Sequence, residues 1–404
     1  MKDSCDVLIV GGGPAGMVLA LLLAQNGRAV TVIEKNPDFE REFRGEVLQP
    51  RFWHAVRDTV IDDVLKVAPH EKFDRFKFFI GRNRRIEIPL SKIDPDIPYI
   101  TWMTQPKMLE TLLHAARKYS SFNLLFGTSI KELIYSGDGR TVSGAICEDS
   151  SGKSLEIAAK IVVGADGRFS ALRKLGDFKL SHSSHQFDVL WFDCKRPASF
   201  DHGADFFLGG EFNCIVLPKH PEKIQFGMLI RPGSFKAWRD LGPEKLAEKL
   251  DQIHPMFKAF SKDLVNFKSF TILKAAVERL ENWSKDGLLM IGDAAHTCSP
   301  VGAIGVTIAV ETAIVAADVI NQCFAENDFS NTQLSQVQNL RLPAVLKIHR
   351  IQEIIGRLAT NKLLPRKLII RILPFIAGSP LAQLVLQSVI SRDPNAARRL
   401  PNKQ

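Results

Sequence analysis

Residues 5–35 read CDVLIVGGGPAGMVLALLLAQNGRAVTVIEK. The short apolar run at 7–10 is bounded by polar residues, as a buried parallel strand is. A glycine-rich turn follows, and residues 17–25 then have the apolar character of a helix that ends at Asn26-Gly27. The next apolar run, at 29–33, predicts a second strand and therefore a strand–helix–strand unit of the α/β type.

The turn between the first strand and the helix contains the spacing G-x-G-x-x-G in Gly11, Gly13 and Gly16, with Pro14 and Ala15 inside it. Gly11 permits a tight turn, Gly13 lets the backbone approach a pyrophosphate, and Gly16 lets the helix pack closely on the strand. The phosphates then lie at a helix N-terminus, where free N–H groups and the helix dipole favour an anion.

Glu34 closes the second predicted strand, and Lys35 beside it is a further candidate contact. An acidic residue about 20 residues after such a turn accepts a hydrogen bond from a ribose 2′-OH, which favours an adenosine without a 2′-phosphate. One G-x-G-x-x-G is a weak signal by itself. Strand, turn, helix, strand and acid together predict that the chain opens with a dinucleotide site.

Composition places the chain among ordinary globular proteins. Of its 404 residues 45% are hydrophobic and 24% charged, and this length predicts two or three domains. The net charge of +9 is scattered apart from residues 82–85 and the C-terminal tail, so no nucleic-acid partner is expected. Six cysteines without a C-x-x-C pair predict free thiols in a reducing compartment. The first strand begins too early for a signal peptide, so we expect a cytoplasmic protein.

One polar segment imitates a metal site. It contains His182, His185 and Asp188, but two histidines three apart in a polar segment are more often solvated, and no thiolate lies nearby. No metal ion is therefore expected.

Two segments have the pattern of strands from a different sheet. Residues 76–89 predict two strands with a polar turn, and residues 179–285 predict several more strands and one helix. We expect them to form one open sheet that covers a pocket. Trp191, Phe192 and Phe226 are candidate pocket residues, although each also fits the core of the sheet.

Two later strand-and-turn segments resemble the opening one. GADGRFS at 164–170 and GDAAHTCSPVGAIG at 292–305 each follow an apolar run. Asp166 lies where the carboxyl end of a strand faces a ligand crevice, although an aspartate before a glycine is also common in turns. The apolar segment 306–323 predicts a helix that packs on the first one and offers N-terminal N–H groups to a ligand.

Together GGGPAG with Glu34, GADGRFS and GDAAHTCSPVGAIG resemble the class A flavoprotein monooxygenases of the p-hydroxybenzoate hydroxylase type. The resemblance covers residues 5–350 and includes RGEVLQP at 44–50 and QPKMLETLL at 105–113. RGEVLQP is also similar to the lipid epoxidases of the same superfamily. The resemblance implies a Rossmann-like α/β FAD-binding domain, an inserted mixed or antiparallel β-sheet substrate domain and a helical C-terminus.

The expected domains are a discontinuous FAD-binding domain (1–72, 100–178 and 286–340), a substrate-binding sheet (73–99 and 179–285) and C-terminal helices (341–404). The C-terminal part is basic, and charges and prolines interrupt its apolar runs, which disfavours a spanning helix. Helices that pack on the protein itself are the favoured interpretation, and peripheral contact with an anionic membrane is the alternative. The oligomeric state does not follow from the sequence.

The resemblance also implies roles for single residues. Gly11, Gly13 and Gly16 hold the FAD pyrophosphate, and Glu34 binds the adenosine ribose. Further implied contacts are Arg44 and Gln105 along the pyrophosphate and ribityl chain, Ile130 at adenine, Asp166 at FAD and the passing nicotinamide cofactor, Asp293 at the ribityl or pyrophosphate end, Gly302, Gly305 and Val306 at the flavin N1–C2 edge, and the Pro300 carbonyl facing the flavin. A helix N-terminus at that edge stabilises the negative charge of a reduced flavin.

The chemistry that the resemblance implies belongs to the cofactor. NADPH or NADH, bound transiently, reduces FAD, and a flavin peroxide formed with O₂ hydroxylates or epoxidises an apolar, aromatic or polycyclic metabolite. The sequence contains no second G-x-G-x-x-G, which fits a transient nicotinamide cofactor.

Two residues depart from the family pattern: Thr307 and Thr312 stand where Asn and Asp are usual. Two alternatives stay open, namely an FAD-dependent dehydrogenase or reductase of an apolar or lipid-like substrate, and a flavin-binding module without turnover. The tryptophan motif expected of flavin halogenases is absent, which disfavours halogenation.

Overall fold

The computed structural model describes residues 2–40, 47–80, 84–198, 200–201, 203–208, 213–219, 222–259, 270–359 and 379–391. The strands are β1 (Lys2–Val10), β2 (Val30–Glu34), β3 (Val47–Leu48), β4 (Glu71–Phe73), β5 (Arg75–Ile80), β6 (Arg84–Pro89), β7 (Ile100–Trp102), β8 (Phe122–Phe126), β9 (Ser129–Tyr135), β10 (Val142–Glu148), β11 (Ser154–Gly164), β12 (Leu180–Lys195), β13 (Ala204–Leu208), β14 (Cys214–Lys219), β15 (Lys223–Ile230), β16 (Thr271–Leu280), β17 (Ser284–Lys285), β18 (Leu288–Met290) and β19 (His296–Thr297). The helices are α1 (Pro14–Gln25), α2 (Pro50–Val56), α3 (Val60–Lys66), α4 (Gln105–Ala116), α5 (Ala171–Leu175), α6 (Phe235–Leu241), α7 (Pro243–Ile253), α8 (Gly305–Glu326), α9 (Asn331–Leu334), α10 (Gln336–Ala359) and α11 (Pro380–Ile390).

The first sheet is built around β1. Its strand order is β17-β18-β11-β1-β2-β8, and β10 extends it by antiparallel pairing with β11 on one side and with β9 on the other. β1 pairs in parallel with both β2 and β11, and Val10 lies opposite both Ile33 and Gly164. These strands therefore end at one edge, and the three segments that follow them meet there, as in open α/β folds.

Three helices cover one face of this sheet: α1 packs between α4 and α8. Residues 15–24 of α1 are all buried, which fits a helix that is apolar on every side. Residues 301–326, which include α8, are long and apolar enough to cross a membrane, with a mean hydropathy of 1.9. However, 83% of the most apolar 18-residue stretch in this segment is buried inside the protein, as in the core helix of a globular domain.

The second sheet has the strand order β19-β16-β12-β15-β14-β13-β5-β6. Its neighbouring strands are antiparallel except β13 and β5, which confirms a mixed sheet; strands β5–β6 and β12–β16 build it, and the short β19 adds to its edge. The helical part of its insertion differs from the sequence prediction, which gave one helix. Gly242, at φ +91°, ends α6 and precedes α7, so two helices form.

The faces of the second sheet separate the candidate pocket residues. Trp191 lies on the face that packs toward the first sheet. Phe192 and Phe226 lie on the opposite face, in a cluster with Leu246 and Leu250 of α7. Phe192 and Phe226 therefore belong to a core cluster, one of the two alternatives for them, on the face opposite to Trp191, because successive residues of a strand point to opposite faces.

The C-terminal part is helical where the structure describes it. α10 packs on α8, and α11 packs on α2. Within α11 Val389 and Ile390 are buried, whereas Leu384 is 61% exposed. Residues 360–378 and 392–404 lie outside the described part of the chain.

Candidate active site

The glycine-rich turn joins β1 to α1 over the edge of the first sheet. A Cβ at Gly11 would lie 2.5 Å from the Ala165 carbonyl oxygen, and a Cβ at Gly16 would lie 2.0 Å from the Gly11 carbonyl oxygen, so both positions exclude a side chain. A Cβ at Gly13 would meet no protein atom closer than 4.0 Å. Gly13 therefore borders open space, which a pyrophosphate at the N-terminus of α1 would fill.

The three sequence motifs meet at this turn. Gly11 lies against Asp166 of the 164–170 motif, because a Cβ at Gly11 would be 2.8 Å from the Asp166 Cα atom. Ala15 lies against Gly292 of the third motif, since its Cβ would be 3.0 Å from a Cβ placed on Gly292. Segments that are more than a hundred residues apart in the chain thus form one continuous surface.

Glu34 is buried at the end of β2 and fixes the turn. Its Oε2 atom accepts from the Gly12 N–H at 2.9 Å, and its Oε1 atom accepts from the Asn36 N–H at 3.0 Å and from the Asn36 side chain at 2.8 Å. The Glu34 carbonyl accepts from the Thr128 N–H at 2.9 Å, which places Ile130 at the same end of the sheet. The roles of Glu34 and Ile130 at ribose and adenine stay predictions.

Three other predicted contacts differ in their surroundings. Gln105 is the first residue of α4 and is 6% exposed, behind the cap that the Thr104 hydroxyl provides to the Lys107 N–H. Lys35 is exposed. Arg44 lies outside the described residues.

Asp166 and Asp293 follow two neighbouring strands, β11 and β18. Asp166 Oδ2 accepts from the N–H groups of Ala171 and Leu172 at 2.7 and 3.1 Å, so it caps α5. Its Oδ1 atom is buried and has no donor among the described residues. The Asp293 carboxylate is one-third exposed, and its Oδ2 atom lies 3.9 Å from Nη2 of Arg168. Both carboxylates can therefore still accept from a ligand.

The loop before α8 offers backbone N–H groups. A short turn (Val301–Ala303) precedes α8, with Gly302 at φ +77° and Ala303 at φ +49°. The Pro300 carbonyl accepts from the Ala303 N–H at 2.9 Å, and its predicted contact with the flavin stays a prediction. Among the described residues no acceptor meets the N–H groups of Gly302, Ile304, Gly305, Val306 and Thr307. Such a row of donors at a helix N-terminus is suited to an electron-rich ligand edge.

A buried ion cluster that the sequence did not predict supports α8. Glu311 accepts from Arg51 Nε at 2.7 Å, from Arg51 Nη2 at 3.0 Å and from Arg341 Nη2. The side chains of all three residues are at most 1% exposed. The cluster therefore fixes α8 against α2 and α10.

The Thr312 departure has a structural consequence for His296. The Thr312 hydroxyl donates its proton to the Ile308 carbonyl at 2.8 Å. Its oxygen therefore accepts from His296 Nε2, which lies 3.0 Å away. The tautomer with a proton on Nε2 leaves Nδ1 as an acceptor, buried and without a partner in the described structure. Burial, followed by the nearby His349 and Arg341, holds the pKa of His296 well below its ordinary value.

His349 on α10 predicts a pH-dependent stability. Burial, followed by the charges of Arg279 and His182, lowers its pKa to about 3. The unfolded chain gains a proton there below about pH 6.5, but the folded chain does not, so stability falls as the pH drops below 6.5. We expect His349→Gln to reduce this slope by about 1.4 kcal/mol per pH unit. Urea unfolding between pH 6.5 and 4.5 measures it, with the exposed His114 as the control substitution.

The histidines of the candidate metal segment have acidic partners. His182 Nε2 lies 2.5 Å from Glu353, and His185 Nε2 lies 2.7 Å from Asp188. No group of three or more potential metal ligands occurs in the part of the chain that the structure describes.

The inner face of the second sheet provides an aromatic wall. Phe78 of β5 and Phe206 of β13 stack with ring centroids 4.9 Å apart and planes inclined by 15°. Both belong to the cluster that also contains Trp191 and residues of the first sheet. The two sheets are therefore joined through a cluster of apolar and aromatic side chains, the residue types that usually line ligand pockets.

Comparison with known proteins identifies the family. The FAD binding domain family matches residues 4–327. The chain is 30% identical over 357 residues to the 6-methylpretetramide 4-monooxygenase of Streptomyces rimosus, which covers 87% of this chain and 84% of that enzyme. A second match, to a squalene monooxygenase of Panax ginseng, is 28% identical and covers 43% of this chain and 32% of that enzyme.

A comparison with solved structures identifies the fold. The structure of p-nitrophenol 4-monooxygenase from Pseudomonas putida matches with a TM-score of 0.81 at 18% identity, over 99% of this chain and 100% of the other. That likeness confirms the fold, with its helical C-terminus. The family match and the identity to the Streptomyces enzyme show that this chain belongs to the class A FAD-dependent monooxygenases, oxidoreductases that use FAD and NAD(P)H to hydroxylate or epoxidise small molecules.

Proposed function

We propose that FAD lies across the edge of the first sheet, with its adenosine near Glu34 and Ile130 and its pyrophosphate over Gly13. The flavin then lies at the loop before α8. The observation that supports this most is the meeting of the three motifs around Gly11 and Ala15. The open space at Gly13, the unpartnered Asp166 Oδ1 atom and the row of free N–H groups fit the shape and charge of this cofactor.

The residues of this chain would hold and shield the cofactor. When bound, FAD takes electrons from NAD(P)H and activates O₂ for transfer of one oxygen atom. The N–H groups of Gly305 and Val306 would face the negative charge of the reduced ring, and the apolar wall of the second sheet would exclude water. NADPH or NADH would bind only for the reduction.

We propose that the two sheets have separate functions, with the boundaries that the sequence predicts except at two short strands: β17 (Ser284–Lys285) belongs to the first sheet and β19 (His296–Thr297) to the second. The first sheet, within 1–72, 100–178 and 286–340, would hold the cofactor. The second, within 73–99 and 179–285, would orient the substrate. The stacked Phe78 and Phe206 favour an apolar, aromatic or polycyclic substrate, in line with relatives named for 6-methylpretetramide and p-nitrophenol.

A substrate screen tests the proposed activity. Candidate aromatic and polycyclic compounds are added to the holoenzyme with NADPH, and O₂ uptake, peroxide and product mass are measured. A substrate is expected to accelerate NADPH oxidation and to gain one oxygen atom without a matching rise in peroxide. Substrate-dependent NADPH oxidation that continues without O₂ would support the reductase alternative instead.

Asp293→Ala is expected to weaken FAD binding without unfolding the apoprotein. The Asp293 backbone carbonyl, which the substitution keeps, accepts from Thr297 at 2.9 Å and from Arg173 at 3.2 Å. The carboxylate, one-third exposed and 3.9 Å from Arg168, would also contact the cofactor, so its loss should lower the melting temperature more with FAD present than without it, through ligand linkage. Equal losses in the apo and holo forms would show that Asp293 is a purely structural residue.

We propose also that α11 contacts an anionic membrane surface. Leu384 and Val385 are exposed on it by 61% and 39%, and the preceding sequence carries Arg366, Lys367 and Arg371. The protein should co-sediment with phosphatidylglycerol vesicles more than with phosphatidylcholine vesicles, and Leu384→Ser should reduce this. Val67→Ser, at an 83% exposed site elsewhere, is the control. The cytoplasmic location stays a prediction.

A further inference from the structure

The carbonyl groups of residues 299–302, in the loop before α8, each accept a hydrogen bond. Those of Ser299 and Val301 each accept from Gln352 Nε2 at 2.8 Å, and that of Gly302 accepts from Gln49 Nε2. The Pro300 carbonyl accepts from the Ala303 N–H. Four consecutive carbonyls thus have donors within the protein, whereas the N–H groups of residues 304–307 have no acceptor in the described structure.

Gln352 makes three hydrogen bonds with this loop. Besides its two donated bonds, its Oε1 atom accepts from the Ser299 N–H at 3.0 Å, and the residue is 3% exposed. Because Nε2 is needed by two carbonyls and Oε1 by an N–H, only one orientation of the amide satisfies the loop. A buried amide with three bonds to one loop fixes the direction in which its peptide groups point.

Gln49 holds the loop from the other side. It is 2% exposed and directly precedes α2, where Arg51 binds Glu311 of α8. Gln49 Nε2 donates to the carbonyl of Gly302, which has φ +77°, and the next residue, Ala303, has φ +49°. A non-glycine residue at positive φ persists only where its surroundings fix it.

We propose that Gln352 and Gln49 are positioning residues that hold the loop carbonyls on the protein side, so that the N–H groups of Gly302, Gly305 and Val306 face the flavin. The inference rests on the proposed location of FAD. Through these N–H groups the two amides favour the reduced, negatively charged flavin over the oxidised one. Neither side chain itself needs to contact the cofactor.

The reduction potential of the bound flavin tests this. In Gln352→Met and Gln49→Leu holoenzymes we expect reduced flavin to lose at least tenfold in binding relative to oxidised flavin, a fall in potential of about 30 mV. The matched control is Gln338→Met, because Gln338 on the same helix also binds backbone, to the Trp283 N–H and the Glu281 carbonyl, both at 2.9 Å, which lie outside this loop. Its potential should equal that of the wild type.

Two outcomes would overturn the inference: an unchanged potential in Gln352→Met with FAD bound, or an equal fall in Gln338→Met. If Gln352→Met does not accumulate as a folded protein, Gln49→Leu decides by the same criteria. A wild-type protein that cannot bind FAD would instead contradict the proposed function, so the two failures are distinguishable.

Discussion

A Gly13→Val variant is expected to purify as a folded protein that carries no FAD. Gly13 has φ −78° and ψ −178°, an extended conformation that valine adopts readily. Its Cβ would meet no protein atom closer than 4.0 Å, so the apoprotein should melt close to the wild-type temperature. The added methyl groups would occupy the space proposed for the pyrophosphate. Flavin absorbance of the purified protein and titration with FAD measure the loss.

Two further glycine variants show whether the effect comes from the site. A Cβ at Gly137 meets no atom within 4 Å, so Gly137→Val is expected to bind FAD as the wild type does. At Gly16 a Cβ would lie 2.0 Å from the Gly11 carbonyl oxygen, so Gly16→Val should destabilise even the apoprotein. A yellow Gly13→Val protein with wild-type FAD affinity would show that the pyrophosphate does not bind over this turn.

The sequence alone was sufficient to predict the features of the fold and of the candidate site that depend on local backbone geometry. Gly11, Gly16 and the strand ends could be predicted because a close backbone approach permits only glycine and because apolar runs of fixed length mark buried strands. The start of α4 at Gln105 has a local signal of the same kind, since Pro106 is favoured in a first helical turn. These features need no knowledge of distant contacts.

The residues that the sequence analysis missed act across long separations. Gln352 and Gln49 reach one loop from opposite ends of the chain, and an isolated glutamine has no spacing that reveals its partner. One signal was available. Glu311 and Asp318 are the two charged residues in the predicted helix 306–323, and a buried carboxylate requires a cationic partner. Likewise the alternation of a strand already excludes a common face for Trp191 and Phe192.

Glu311→Ala is expected to destabilise the protein by about 3–5 kcal/mol. The substitution removes the carboxylate that Arg51 and Arg341 share, and both guanidinium groups are at most 1% exposed, so water cannot easily replace it. The lost contacts join α8 to α2 and α10. The urea concentration at the midpoint of unfolding measures the effect, and we expect it in the apoprotein and the holoenzyme alike.

The matched control is an exposed ion pair on another helix. Glu110 of α4 lies 3.8 Å from Lys107, with side chains 56% and 46% exposed, so Glu110→Ala should cost less than about 1 kcal/mol. A midpoint shift in Glu311→Ala no larger than this would show that the buried cluster does not hold α8. An equal shift in both forms also separates Glu311 from Asp293, whose loss should act more strongly when FAD is bound. Comparing the apoprotein with the holoenzyme thus distinguishes a residue that supports α8 from a residue that contacts the cofactor.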